Sequence, residues 1–147
     1  MDFSRVPAEQ LFEMAAIIEQ GGFDFYARLI ARTSNPKVMN ELKFLRDEEG
    51  AHRAFFLDQL RRRGIAPRGE LGPGLAEFLD HEFLGPLDGA YRLREGASND
   101  ATLAFGAFME QKTIDFYRSL MTGTAVAGRR EDLERIVDQE DAHRRKL

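Results

Sequence analysis

The chain has 147 residues, of which 43% are hydrophobic and 31% charged, and its formal net charge is -4. This composition is typical of a globular domain and excludes a disordered chain, and the charge gives no basis for a nucleic-acid partner. Because the chain has no cysteine, disulfides, thiolate metal sites and iron–sulfur clusters are excluded. No apolar run is long enough to span a membrane and residues 1–10 lack the features of a signal peptide, so we expect one cytoplasmic domain over 1–147 without membrane association.

Four stretches have the spacing of apolar residues that is typical of long amphipathic helices. The first helix is predicted over Pro7–Thr33 and the second over Lys37–Arg63, with a break at residues 34–36. The third is predicted over Asp100–Met121, and the fourth runs from Arg129 to the end of the chain.

Residues 64–98, which connect the second predicted helix to the third, have a different composition. They contain seven of the thirteen glycines and three of the five prolines, with one short amphipathic helix predicted over Leu75–Leu84. Short connections favour antiparallel helical hairpins, whereas a connection of this length can run along a whole bundle. The sequence therefore predicts an all-α, ferritin-like four-helix bundle of two antiparallel hairpins joined by a long crossover.

The two halves of the chain repeat each other at an offset of 91 residues. Residues 9–56 and 100–147 align without a gap and share fourteen identities, among them a Glu-Gln pair, an Asp-Phe-Tyr triplet and an Ala-His-Arg triplet. Two hairpins with one ancestral pattern would pack with approximate twofold symmetry. A site on the symmetry axis would then receive the same ligands from each half.

Each half supplies one glutamate in an apolar helical stripe and, thirty residues later, a Glu-x-x-His motif. Residues at i and i+3 lie on one helical face, so the Glu and His of each motif can bind the same metal ion. Buried carboxylates are costly unless they are paired or bound to metal, and two divalent cations would balance four of them. With two imidazoles, this donor set suits iron or manganese. The predicted metal ligands are Glu19, Glu49, His52, Glu110, Glu140 and His143.

Tyr26 and Tyr117 are predicted on the same helical faces as Glu19 and Glu110, two turns further along. A tyrosine at this place can hydrogen-bond a ligand carboxylate or act as a redox-active phenol, or it can be a core aromatic whose hydroxyl finds another partner. The third histidine, His81, has no glutamate three residues before it and is predicted to be a solvated residue of the connection.

Gly21 and Gly22 lie within the first predicted helix, where each costs about 1 kcal/mol relative to alanine. Two explanations are open: room beside the metals for a substrate or a shifted backbone, and close helix packing. Gly106 and Thr113 lie in similar surroundings on the third helix, where small side chains would open a pocket for O2 or peroxide.

The motifs resemble the rubrerythrin branch of the ferritin-like di-iron carboxylate superfamily. In both halves a glutamate is followed seven residues later by the tyrosine of a Phe-Tyr pair, and then by Glu-x-x-His. The resemblance implies two iron ions and a non-haem oxidoreductase of oxidative-stress defence, a peroxidase or oxidase that reduces hydrogen peroxide or O2. It also implies that Glu49 and Glu140 bridge the metals and that Glu19 and Glu110 are terminal ligands.

Two features depart from that family. Typical members carry a further glutamate three residues after the third-helix ligand, where this chain has Thr113, so a redox-linked movement of one iron is not implied. They also carry a cysteine-rich, rubredoxin-like domain, and this chain has no cysteine. Electrons would therefore come from an external donor, such as a rubredoxin-like protein or another reductase.

Other metals and functions are compatible with the same ligands. Manganese or a mixed-metal pair would suit the donor set. A ferroxidase or iron-storage protein would need a large assembly, a di-iron oxygenase would need an apolar substrate cavity, and a bundle without metals would be an interaction module. With twelve phenylalanines, a bundle of this size would expose apolar surface that a second copy of the chain can cover, so we expect a homodimer.

Overall fold

The computed structural model describes residues 6–64, 73–87, 99–121 and 130–147. All regular structure in these ranges is helical, which confirms the predicted all-α class. None of these helices combines the length and apolar composition that a membrane span requires. The helices are α1 (Ala8–Arg32), α2 (Pro36–Arg62), α3 (Pro73–Leu79), α4 (Asn99–Met121) and α5 (Arg130–Lys146).

The ends of the four long helices differ from the predicted ones by one residue at most, which is the usual spread at a helix end. Residues 65–72 and 88–98 of the predicted connection lie outside the described residues. So do residues 122–128, between the third and fourth predicted helices, and Arg129.

The break predicted at residues 34–36 contains the start of α2. Asn35 Oδ1 accepts hydrogen bonds from the backbone N–H groups of Lys37 and Val38, at 3.0 and 3.4 Å. Pro36 takes the first helical position, where a missing N–H costs nothing. The second helix therefore begins at the proline, one residue earlier than predicted.

The chain divides into two compact units, Phe12–Asp88 and the combination of Met1–Leu11 with Gly89–Leu147. We call the first the α1–α2 unit and the second the α4–α5 unit. One domain over residues 1–147 stays a prediction.

In the α1–α2 unit, the two long helices form an antiparallel hairpin. The rings of Phe12 and Phe56 have centroids 6.1 Å apart, and the Arg63 guanidinium lies 4.7 Å from the Phe12 ring. Further along α1, the Phe23 ring lies 5.9 Å from the guanidinium of Arg46. As residue numbers rise along α1, those of the α2 partners fall, so the helices run in opposite directions.

The short helix α3 continues into a π-helical turn over Asp80–Leu84. In this turn the N–H of Gly85 donates to the carbonyl oxygen of Asp80, five residues earlier. A Cβ at position 85 would lie 2.6 Å from that oxygen, so the turn requires glycine there. The segment buries Leu75, Leu79 and Phe83, in agreement with the predicted amphipathic helix.

In the α4–α5 unit, α4 and α5 pack against each other. Each helix buries apolar side chains on the face that contains its predicted metal ligands. These buried side chains include Ile114, Tyr117, Leu120, Leu133 and Ile136.

Candidate metal centre

The hairpin of the α1–α2 unit brings a glutamate of α1 beside the Glu-x-x-His motif of α2. Glu19 is 0% exposed, and Glu49 and His52 are each 3% exposed. Nδ1 of His52 lies 3.4 Å from Oε2 of Glu19. Each of the three residues offers one ligand atom, and these atoms lie within 4.8 Å of one another. We call these residues the first triad.

The register of the hairpin explains why these residues meet. Phe12 contacts Phe56, and both Glu19 in α1 and Glu49 in α2 lie seven residues from that contact. Seven residues make about two turns, or about 10 Å along a helix. Antiparallel helices paired at the phenylalanines therefore bring the two glutamates to the same level. His52 lies on the Glu49 face because the two are three residues apart.

The α4–α5 unit contains the same arrangement, with Glu110 from α4 and with Glu140 and His143 from α5. All three residues are at most 5% exposed. Nδ1 of His143 lies 3.5 Å from Oε2 of Glu140 and 3.9 Å from Oε1 of Glu110. Each of the three residues offers one ligand atom, and the three atoms lie within 4.8 Å of one another. We call these residues the second triad.

Local contacts beside the triads also repeat at the offset of 91. Gln20 Nε2 donates to Asp24 Oδ1 at 2.9 Å, and Gln111 Nε2 donates to Asp115 Oδ1 at the same distance. The fourteen sequence identities therefore include pairs of residues that make the same contact in each unit.

The donor atoms of each triad suit one divalent cation. Two donors bound to one metal ion at about 2.1 Å, with bond angles of about 90–110°, are about 3.0–3.4 Å apart. The distances from Nδ1 to the carboxylate oxygens, 3.4 Å in the first triad and 3.5 and 3.9 Å in the second, are at or slightly above that range. The two carboxylates of one triad together carry a charge of about -2, and burial makes this charge costly. One divalent cation would cancel it.

Gly22 forms part of the wall of the first triad. A Cβ at this position would lie 2.9 Å from Oε2 and 3.2 Å from Cδ of Glu49, so the carboxylate occupies the space of the missing side chain. Close packing by a predicted ligand therefore accounts for this glycine. At Gly21, a Cβ would meet the side chains of Leu87 and Leu84 at 3.2 and 3.3 Å, so this glycine allows close packing of the π-helical segment.

Tyr26 and Tyr117 are buried, with 2% and 0% exposure. Each packs against the phenylalanine that precedes it, with ring centroids 5.5 Å apart for Phe25 and 5.7 Å apart for Phe116. Both tyrosines are thus in equivalent core positions. The hydrogen bond from each to a ligand carboxylate stays a prediction.

Thr113 is buried, and its hydroxyl donates to the carbonyl oxygen of Met109 at 3.0 Å. The hydroxyl therefore bonds within its own helix. His81 is a surface residue, as predicted, with 86% of its side chain exposed. Among the described residues, Glu13 and Gln59 are also buried and were not predicted, because neither belongs to a motif or to the fourteen identities of the repeat.

A surface pocket of about 140 Å³ lies between α1 and the segment that follows α3. Its lining contains none of the six predicted metal ligands. The lining residues are Gly21, Asp24, Phe25, Arg28, Leu84 and Leu87.

Comparison of the chain with protein-family models, with curated proteins and with solved structures gives no match. The resemblance to rubrerythrins therefore rests on the sequence motifs alone. The function has to be argued from the two triads.

Proposed function

We propose that this chain is a dinuclear metal-carboxylate protein whose two triads combine into one centre that holds iron. The observation that carries the proposal is the burial of two equivalent Glu-Glu-His triads, each with its ligand atoms within 4.8 Å of one another. A buried cluster with this donor set and net charge is costly for a protein to maintain unless it binds a cation.

The combination of the triads is inferred from the internal repeat. Two hairpins with one sequence pattern, packed about a twofold axis as in a ferritin-like four-helix bundle, would place equivalent ligands on opposite sides of that axis. In this arrangement the six ligands would hold two ions, with four carboxylates balancing two divalent charges. By the rubrerythrin resemblance, Glu49 and Glu140 would bridge, and each histidine would bind one ion.

The reaction we infer is the reduction of hydrogen peroxide or O2 in the manner of rubrerythrins. Ferrous ions held by the two triads would supply two electrons for this reaction and would polarise the O–O bond. The reduction of one hydrogen peroxide molecule consumes two electrons and two protons and releases two water molecules. The buried helix faces around the triads keep bulk water from the carboxylates and fix their spacing. Because residues 1–147 contain no cysteine, we expect the electrons to come from a donor outside these residues.

The first test is metal content, measured by elemental analysis of protein purified without chelators and after anaerobic ferrous loading. We expect about two ions per chain, as in di-iron carboxylate bundles. The variant Glu49→Ala, Glu140→Ala should lose both. The matched control is Asp47→Ala, Asp138→Ala, which removes the same charge from exposed positions of the same helices and should keep both ions.

Stopped-flow mixing of the ferrous protein with peroxide or O2 then tests the reaction. Peroxide consumption that requires the six ligands and an added reductant would support the peroxidase. Accumulation of iron well beyond two ions per chain in a large assembly would favour ferroxidase and storage instead. Failure of the wild-type protein to bind metal under any of these conditions would overturn the proposal.

A further inference from the structure

Gly22 and Glu49 make a contact that bears on how the first triad binds its metal ion. Oε2 of Glu49 lies 2.9 Å from where a Cβ of residue 22 would be, closer than real Cβ atoms approach another group. Gly22 lies in the middle of α1, which is continuous over Ala8–Arg32, so the helix backbone cannot easily retreat. The carboxylate therefore takes this position only because residue 22 has no side chain.

We propose that Gly22 is a positioning residue for the metal centre, because it lets the Glu49 carboxylate reach its ligand position against the backbone of α1. The inference rests on the proposed function, since it matters only if Glu49 binds metal. Without a metal, the carboxylate is the end of a flexible side chain and can rotate away from a methyl group at residue 22. With a metal, its oxygens are held in one place and the methyl group competes with them.

The internal repeat shows that this feature belongs to one triad only. Residue 113 corresponds to residue 22 at the offset of 91, and it is a threonine. Thr113 is buried and carries the Cβ, methyl and hydroxyl that Gly22 lacks, with its hydroxyl bonded to Met109. The two triads have the same ligands but different walls. A side chain added at residue 22 should therefore weaken metal binding through Glu49, whereas the second triad already has a side chain at the equivalent position.

Gly50 provides a matched control for a Gly22→Ala substitution. It is also a helical glycine of the α1–α2 unit, and it directly follows Glu49. A Cβ at residue 50 would meet the ring of Phe23 at 3.5 Å, which is an ordinary van der Waals contact. Gly50→Ala therefore tests the general effect of a methyl group in the same hairpin.

The experiment is calorimetric titration of the metal-free full chain with manganese(II), an air-stable ion that suits the same donors. We expect Gly22→Ala to weaken manganese binding about 10- to 100-fold, the usual effect of disturbing a group that orients a ligand. The metal-free variant should melt at the wild-type temperature or above it, because alanine favours the helix. Gly50→Ala should bind both ions like the wild type.

A double-mutant cycle separates positioning from packing. If Gly22 acts through the carboxylate, adding Gly22→Ala to Glu49→Ala should not change the remaining affinity any further. Gly22→Ala with wild-type affinity for manganese would overturn the inference. So would a metal-free Gly22→Ala protein with a lower melting temperature that Glu49→Ala does not restore. Absence of manganese binding in the wild type would overturn the proposed function itself and the inference with it.

Discussion

Nδ1 of His52 lies 3.4 Å from Oε2 of Glu19, across the two helices of one hairpin. Both residues are almost completely buried, and the separation is close to that of two donors that share a metal ion. His143 has the same relationship to Glu110, at 3.9 Å. The two histidines therefore have equivalent places in the two triads.

This equivalence predicts that each histidine holds one ion. His52→Ala and His143→Ala should each lower the metal content from about two ions per chain to about one, because each removes the only imidazole of its triad. Elemental analysis after ferrous loading measures this. His81→Ala is the control, since that side chain is 86% exposed, and it should leave the content unchanged. A wild-type metal content in either triad variant would contradict the assignment.

Metal binding should stabilise the fold, because the triads are assembled only in the folded chain. A ligand at 100 times its Kd adds about 2.7 kcal/mol, and for a chain of this length that corresponds to a rise in Tm of about 5–10 °C. Calorimetric melting of the chelator-treated protein, before and after anaerobic addition of ferrous ion, measures the rise. The Glu49→Ala, Glu140→Ala variant should show none, and an equal rise in that variant would indicate nonspecific binding.

Helix positions and the buried ligand residues could be predicted from the sequence because both depend on local periodicity. Glu19 and Glu110 occur where an amphipathic helix would have apolar residues, and each is buried in the structure. The internal repeat gave a second, independent indication, since the same residue types recur in each half at the same spacing.

The contacts that could not be predicted depend on how side chains of different segments pack. The sequence showed that Gly22 was unusual in a helix, but not that the Glu49 carboxylate fills its space, because this depends on rotamers across the hairpin. The π-helical turn was missed because it results from one shifted hydrogen bond, from Gly85 to Asp80. Pro36 was predicted as a break although it begins α2, since Asn35 caps the helix in front of it.

The contact between Phe12 and Phe56 sets the register of the first hairpin, so its loss should reduce stability. Phe56 is 0% exposed, and Phe56→Ala should cost about 3–5 kcal/mol through lost burial and the cavity left behind. Urea unfolding of the metal-free protein measures this cost. Phe44→Ala, on the same helix but at a 45% exposed position, should cost less than about 1 kcal/mol. Equal losses for the two variants would contradict the proposed register contact.

The end of α2 predicts a pH dependence that does not involve the metal. A hydrogen bond from Arg61, aided by the charge of Arg62, holds the pKa of Asp58 below its ordinary value of 3.8. Because this pKa is lower in the folded chain, the ionised carboxylate stabilises the fold above about pH 4. That contribution is lost as the pH falls through the folded pKa. Asp58→Asn should therefore lower the urea midpoint slightly at pH 7, and the difference from wild type should vanish at the lowest pH at which the protein still folds.

The size of this difference depends on the arginine and on screening by salt. Asp58 lies near the surface, where such pairs are weak, so 1 M salt should reduce the pH 7 difference. In an Arg61→Met background, which removes the main cause of the lowered pKa, Asp58→Asn should have a smaller effect at pH 7. A difference between Asp58→Asn and wild type that is the same at pH 7 and at the acid limit would show that the substitution acts through packing and not through the charge of the carboxylate.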